Sequence, residues 1–175
     1  EDGGSKHTLR VDPMGRVWGS AVKAPLAMFD PKTNEFRHYR DIDSPYGLAI
    51  DADGSVWFAE FKEGGAIGKV DVKTNQVIKY SPPTTNGWPR RVEIDSKGIV
   101  WFAEYRGGKI GRFDPATRAF KEFPLPGPSS TPYALGIDQN DYIWYSSDYM
   151  DVLGRLNPRT GEVTEYPYPH SENMM

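Results

Sequence analysis

Apolar residues in this chain fall into short runs, and no segment holds a 3.6-residue period for long. Val56-Trp-Phe-Ala-Glu60, Val100-Trp-Phe-Ala-Glu104 and Gln76-Val-Ile-Lys-Tyr80 are rich in the β-branched and aromatic residues that strands favour. Turn chemistry separates them: Asp51-Ala-Asp-Gly54, Asp71-Val-Lys-Thr-Asn75 and Asp114-Pro-Ala-Thr-Arg118 each open on an Asp able to accept backbone N–H bonds. The second such unit predicts four strands, at Tyr46–Ile50, Val56–Phe61, Ala66–Val70 and Gln76–Tyr80, and no helix longer than a turn or two anywhere.

The unit repeats. Trp18, Trp57, Trp101 and Trp144 lie 39, 44 and 43 residues apart, each six residues after an Asp: Asp12, Asp51, Asp95 and Asp138. A Gly precedes three of them by three residues (Gly15, Gly54, Gly98). Downstream come Thr33, Thr74, Thr117 and Thr160, then an aromatic at Tyr39, Tyr80, Phe123 and Tyr166. Four short strands repeated every 40–45 residues or so are the arithmetic of a β-propeller blade. The expected fold is therefore all-β: one propeller segment over residues 1–175, with four four-stranded antiparallel blades near 6–41, 42–81, 82–126 and 127–169. No spare strand is visible to close a ring, and His170-Ser-Glu-Asn-Met-Met175 reads like the approach to another first strand. A partial ring is the expectation. The four Trp are expected in the core between blades, and the repeated Asp as turn residues.

Composition narrows the function. The 175 residues carry 21 basic and 24 acidic side chains in no long run of one sign, which leaves no basic stripe for nucleic acid. No apolar run approaches the roughly 18–20 residues of a membrane span. With no Cys, disulfides, zinc–thiolate sites and cysteine nucleophiles are excluded. Compartment stays open on this ground, with a secreted or periplasmic setting slightly favoured over a cytoplasmic one. Gly64-Gly and Gly107-Gly open no helix and are not phosphate loops, and three scattered His make no triad.

Pro45-Tyr-Gly-Leu-Ala-Ile-Asp51, Trp57-Phe-Ala-Glu60, Ala66-Ile-Gly-Lys-Val70, Trp101-Phe-Ala-Glu-Tyr105, Gly108-Lys-Ile-Gly-Arg-Phe113 and Glu122-Phe-Pro-Leu-Pro126 together resemble the blades of streptogramin B lyases, the virginiamycin B lyase family. The resemblance implies a seven-bladed ring that linearises a cyclic depsipeptide lactone by eliminating its ester bond, with Mg²⁺ and a histidine base. It implies too that the remaining blades of the same chain are the segment's first partners. In the family's catalytic blade a His stands eleven residues before the Trp and a Glu three after it. Both positions are equidistant from the intervening turn, so they are expected as near cross-strand neighbours. Here the earlier position holds His7, Tyr46, Arg90 and Tyr133, and the later one Ala21, Glu60, Glu104 and Ser147.

These positions supply the candidates. His7 is the candidate base, and Glu60 and Glu104 are candidate ligands for Mg²⁺, a hard cation that favours carboxylates. The same two glutamates are alternatively rim charges, with Arg90 set to neutralise Glu104. Tyr46, Trp88, Arg90 and Tyr133, with Arg91, are expected to line a channel mouth that takes a small-molecule or peptide ligand. Lys69, Arg112 and Arg155 are expected in solvent or in ion pairs between blades, and His38 and His170 in solvent. Two other functions fit the same blades: a non-catalytic module binding a peptide, glycan or protein, and a gluconolactonase-type hydrolase.

Overall fold

The structure, a computed structural model, describes residues 5–127 and 130–169; the run from His170 onward lies outside the described residues. It contains sixteen strands, and among the described residues no helix. The first blade holds β1 (Lys6–Val11), β2 (Val17–Ala21), β3 (Leu26–Asp30) and β4 (Glu35–Tyr39); the second holds β5 (Pro45–Ile50), β6 (Val56–Glu60), β7 (Ile67–Val70) and β8 (Val77–Tyr80). The third holds β9 (Pro89–Ile94), β10 (Val100–Glu104), β11 (Lys109–Asp114) and β12 (Ala119–Pro124), and the fourth β13 (Pro132–Ile137), β14 (Ile143–Ser147), β15 (Val152–Leu156) and β16 (Val163–Pro167). Each blade is an antiparallel meander in sequence order. The first strands β1, β5, β9 and β13 pack side by side and form the inner wall.

The repeated Asp does more than open a turn. In the third blade one oxygen of Asp95 accepts the backbone N–H groups of Lys97 and Ile99 (2.9 and 3.0 Å), and the other accepts the indole N–H of Trp101 at 2.9 Å. Asp12–Trp18, Asp51–Trp57 and Asp138–Trp144 repeat the indole bond at 2.9, 3.0 and 2.9 Å. A buried indole N–H needs an acceptor, so the spacing of six residues follows from turn and ring together. The aromatic of the outer strand then stacks on the indole: Tyr39, Tyr80, Phe123 and Tyr166 lie 5.4, 6.0, 5.7 and 5.9 Å from their Trp rings.

In blades two to four the opposite face of the sheet is shaped by a close approach. A Cβ added at Gly68, Gly111 or Gly154 would lie inside the ring of Phe58, Phe102 or Tyr145 on the neighbouring strand. Blade one reverses this pairing, with Gly19 opposite Ala27. Burial then runs between blades. Trp18, Leu26 and Met28 pack with Leu48, Val56 and Phe58; Trp57 and Ile67 with Val100, Phe102 and Phe113; Trp101 and Ile110 with Ile143, Tyr145 and Leu156. Three interfaces join four blades into an open arc. Trp18, Trp57 and Trp101 are buried as expected, but Trp144, facing no further blade among the described residues, is only partly so.

Candidate functional site at the channel mouth

The inner strands slip at their outer end. Leu48 pairs with Phe58, yet Pro45, three residues earlier, pairs with Glu60 only two residues later. Equivalent shifts fall between Phe102 and Glu104, between Lys6 and Thr8, and between Pro132 and Ala134. All four blades therefore carry a bulge, an extra residue that re-aims a side chain. It sits at His7, Tyr46, Arg90 and Tyr133. Prolines open three of these strands (Pro45, Pro89, Pro132) and offer no N–H to the ladder. Before two of them, Ser44 and Trp88 take φ of 50° and 53°, a backbone that bulky residues rarely adopt. The cross-strand pairing expected of Tyr46 with Glu60 and of Arg90 with Glu104 is thus corrected: one residue of slip turns the two members of each pair apart.

Released from their own sheets, the four side chains meet one another. His7 stacks on Tyr46 with ring centroids 3.9 Å apart. Arg90 lies over Tyr46 at 4.1 Å and over Tyr133 at 3.1 Å from the ring centre, and donates to the Tyr46 hydroxyl and the Tyr133 carbonyl. Arg91 crosses from blade three to blade one, 4.9 Å from the centre of the Tyr46 ring, and donates to Thr8 Oγ1 at 2.8 Å. Tyr46 and Arg90 are buried, while Tyr133 is 38% exposed. Trp88 is half-buried, edge-on to Phe61, with Arg106 3.9 Å from its ring centre.

Phe61, Tyr105 and Asp148, one residue beyond the Glu60, Glu104 and Ser147 positions, complete this end of the arc. Tyr105 donates to Asp148 at 2.7 Å, tying blade three to blade four. Sequence reading missed them because it placed the rim one residue too early; the bulge supplies the difference. Burial and the neighbouring Arg90 and Arg91 hold the His7 imidazole below its ordinary pKa.

Glu60 and Glu104 do not converge on an ion. Glu60 accepts from the backbone N–H of Asp43 and Ala66 (2.8 and 3.3 Å) and pairs with Lys79 at 2.6 Å. Glu104 is fully buried, and neither of its carboxyl oxygens has a hydrogen-bond partner. Burial first, and then Glu122, push it up to about 8. Arg90 does not neutralise it; the nearby cation, Lys109, is bonded to Glu122 at 2.6 Å. Among the described residues no three His, Cys, Asp or Glu are grouped to hold a metal, so the donor set at these two positions does not fit Mg²⁺. Lys69 and Arg112 pair within their own blades and not between blades, with Asp51 and Asp114 at 3.0 and 3.7 Å, whereas Arg155 lies 5.7 Å over Trp144.

The sequence model of the virginiamycin B lyase family matches residues 31–175. The chain belongs to that family. A virginiamycin B lyase of Nocardia farcinica is 31% identical over 70 residues, 39% of this chain and 24% of the relative. The virginiamycin B lyase of Staphylococcus aureus superposes with a TM-score of 0.87 at 25% identity, over 98% of this chain and 58% of that one. A catalytically inactive histidine-to-alanine form of that lyase, solved with quinupristin, gives 0.86 at 24% identity and covers 97% of this chain and 57% of that one. The chain thus spans less than two thirds of the length of these family members. A putative gluconolactonase (TM-score 0.71, 12% identity, 94% of this chain and 64% of that one) shares the fold alone.

Proposed function

We propose that this chain forms a ligand-binding part of a streptogramin-lyase-type propeller, which with the remaining blades of the same chain linearises a cyclic depsipeptide lactone by carbon–oxygen elimination. The observation that carries the reading is the stack of His7, Tyr46, Arg90 and Tyr133, four equivalent residues from four blades meeting at one end of the inner wall. Convergent aromatic and polar groups of this kind suit a ligand with both ring and carbonyl surface. His7 is the candidate base. An imidazole kept neutral at pH 7 can take a proton from carbon beside a carbonyl, and the Arg90 and Arg91 charges, which add to burial in keeping it neutral, also favour the negative charge that develops as the proton leaves. In this reading any Mg²⁺ is held by residues other than Glu60 and Glu104.

The test is incubation of the full-length protein with a cyclic depsipeptide lactone, followed by mass spectrometry. Elimination opens the ring with no change in mass, whereas a gluconolactonase-type hydrolysis adds one water. His7→Ala is expected to abolish opening while retaining binding. Binding without opening by the unaltered protein indicates the non-catalytic module, and absence of both refutes the reading.

A further inference from the structure

Acidic residues outnumber basic ones in this chain, 24 to 21, yet the mouth gathers bases without acids to match. His7, Arg90 and Arg91 converge on one ring, that of Tyr46, at 3.9, 4.1 and 4.9 Å. Among the described residues neither Arg90 nor Arg91 has a carboxylate partner. The nearby acids are engaged elsewhere: Glu93 with Arg10 at 3.3 Å and Asp148 with Tyr105 at 2.7 Å. Arg90 donates only to a tyrosine hydroxyl and a backbone carbonyl, and Arg91 only to a threonine hydroxyl.

Withdrawing a guanidinium from water is unfavourable, and neutral acceptors and aromatic faces offset only part of that. Two adjacent guanidinium groups sharing one aromatic ring also repel each other. An anion at this point relieves both penalties, and the planar Arg fork matches a carboxylate in two parallel hydrogen bonds. Tyr133, under Arg90, and Trp88, which meets the same Phe61 that Arg90 lies over, are each partly exposed and give an adjoining aromatic surface.

We infer that the mouth recognises the opened form of its ligand, through the carboxylate that elimination frees from the lactone ester next to an aromatic ring, with Arg91 bonded to the carboxylate, Arg90 charged beneath it, and Trp88 and Tyr133 against the ring. The inference rests on the mouth being the ligand site and adds the ligand's charge. The probes are N-acetyl-L-phenylalanine and its neutral amide, titrated calorimetrically into the full-length protein at low ionic strength. The acid is expected to bind about tenfold tighter or more, with the preference shrinking as salt is raised. Arg91→Met removes the charge but keeps most of the stem, at a partly exposed position, so it is expected to fold and to bring the two affinities together without weakening the amide. Equal affinities for acid and amide in the unaltered protein overturn the inference but leave the ligand site standing. Binding of neither probe overturns both.

Discussion

Glu60 and Glu104 hold the same place in consecutive blades and meet opposite neighbours. Across from the glycine of the third strand stands Lys79 in blade two and Glu122 in blade three. Glu60 therefore gains a cation, while Glu104 gains a second carboxylate, and the walls of Gly87 and Gly107 close over it. Lys109 and Thr84 hold Glu122 in its charged form against the effect of burial, which leaves Glu104 as the protonated member at neutral pH. The sign follows. Glu104 has a folded pKa of about 8, above its unfolded value of 4.5, so the folded state binds more protons than the unfolded one between these pH values. Stability falls as pH rises through that window. Glu104→Gln, a neutral side chain of the same shape, is expected to be more stable than the unaltered protein at pH 8, by roughly 1–3 kcal/mol, and to differ little near pH 4. Urea melts at both pH values check this. From the sequence the two glutamates look alike, because only strand register reveals which residue lies opposite.

At the scale of the element, two devices with different legibility hold the blades, the first in all four and the second in blades two to four. The Asp–Trp–aromatic series is written in the sequence as a spacing, and its purpose is local: turn, indole and outer strand all lie within one blade. Asp95→Ala leaves the Trp101 indole N–H and two backbone N–H groups without an acceptor, and is expected to destabilise the protein by about 2–3 kcal/mol in chemical denaturation. The second device, the glycine under a ring, is also a repeat, yet its reason appears only when neighbouring strands are in register. Gly111→Ala would drive a methyl group into Phe102; a loss of roughly 1–3 kcal/mol is expected, whereas Gly19→Ala, with nothing within 4 Å, is expected to be tolerated. The bulge at the head of each inner strand left only a faint trace, the prolines at Pro45, Pro89 and Pro132. It is this irregularity that moved Tyr46 and Arg90 away from the glutamates and toward each other.

For the whole molecule, the arc ends in two sheet faces that no blade covers among the described residues, one on blade four beside Trp144 and one on blade one. Leu9, Val11 and Phe36 on blade one are 62, 57 and 68% exposed, beside a cavity of about 450 Å³ lined by Gly19, Ala21, Ala27 and His38 among others. In a repeat array each unit is stabilised by its neighbours, and an uncovered apolar face tends to find another. The 175-residue chain expressed by itself is expected to self-associate in sedimentation velocity, and Leu9→Glu with Phe36→Glu to shift it toward monomer; a monomer at every concentration without these changes would contradict this. The sequence by itself determined the blade, its four strands, their number and the family, because those depend on contacts within some forty residues that recur four times. It also placed His7, Tyr46, Arg90 and Tyr133 at one equivalent position. What the tertiary structure alone decided is what those residues touch. Their partners come from other blades, 39 to 44 residues away in the chain, and a one-residue slip in pairing selects between a carboxylate in the same sheet and an aromatic ring in the next. No periodicity carries that choice, since both outcomes satisfy the same alternation of strands and turns.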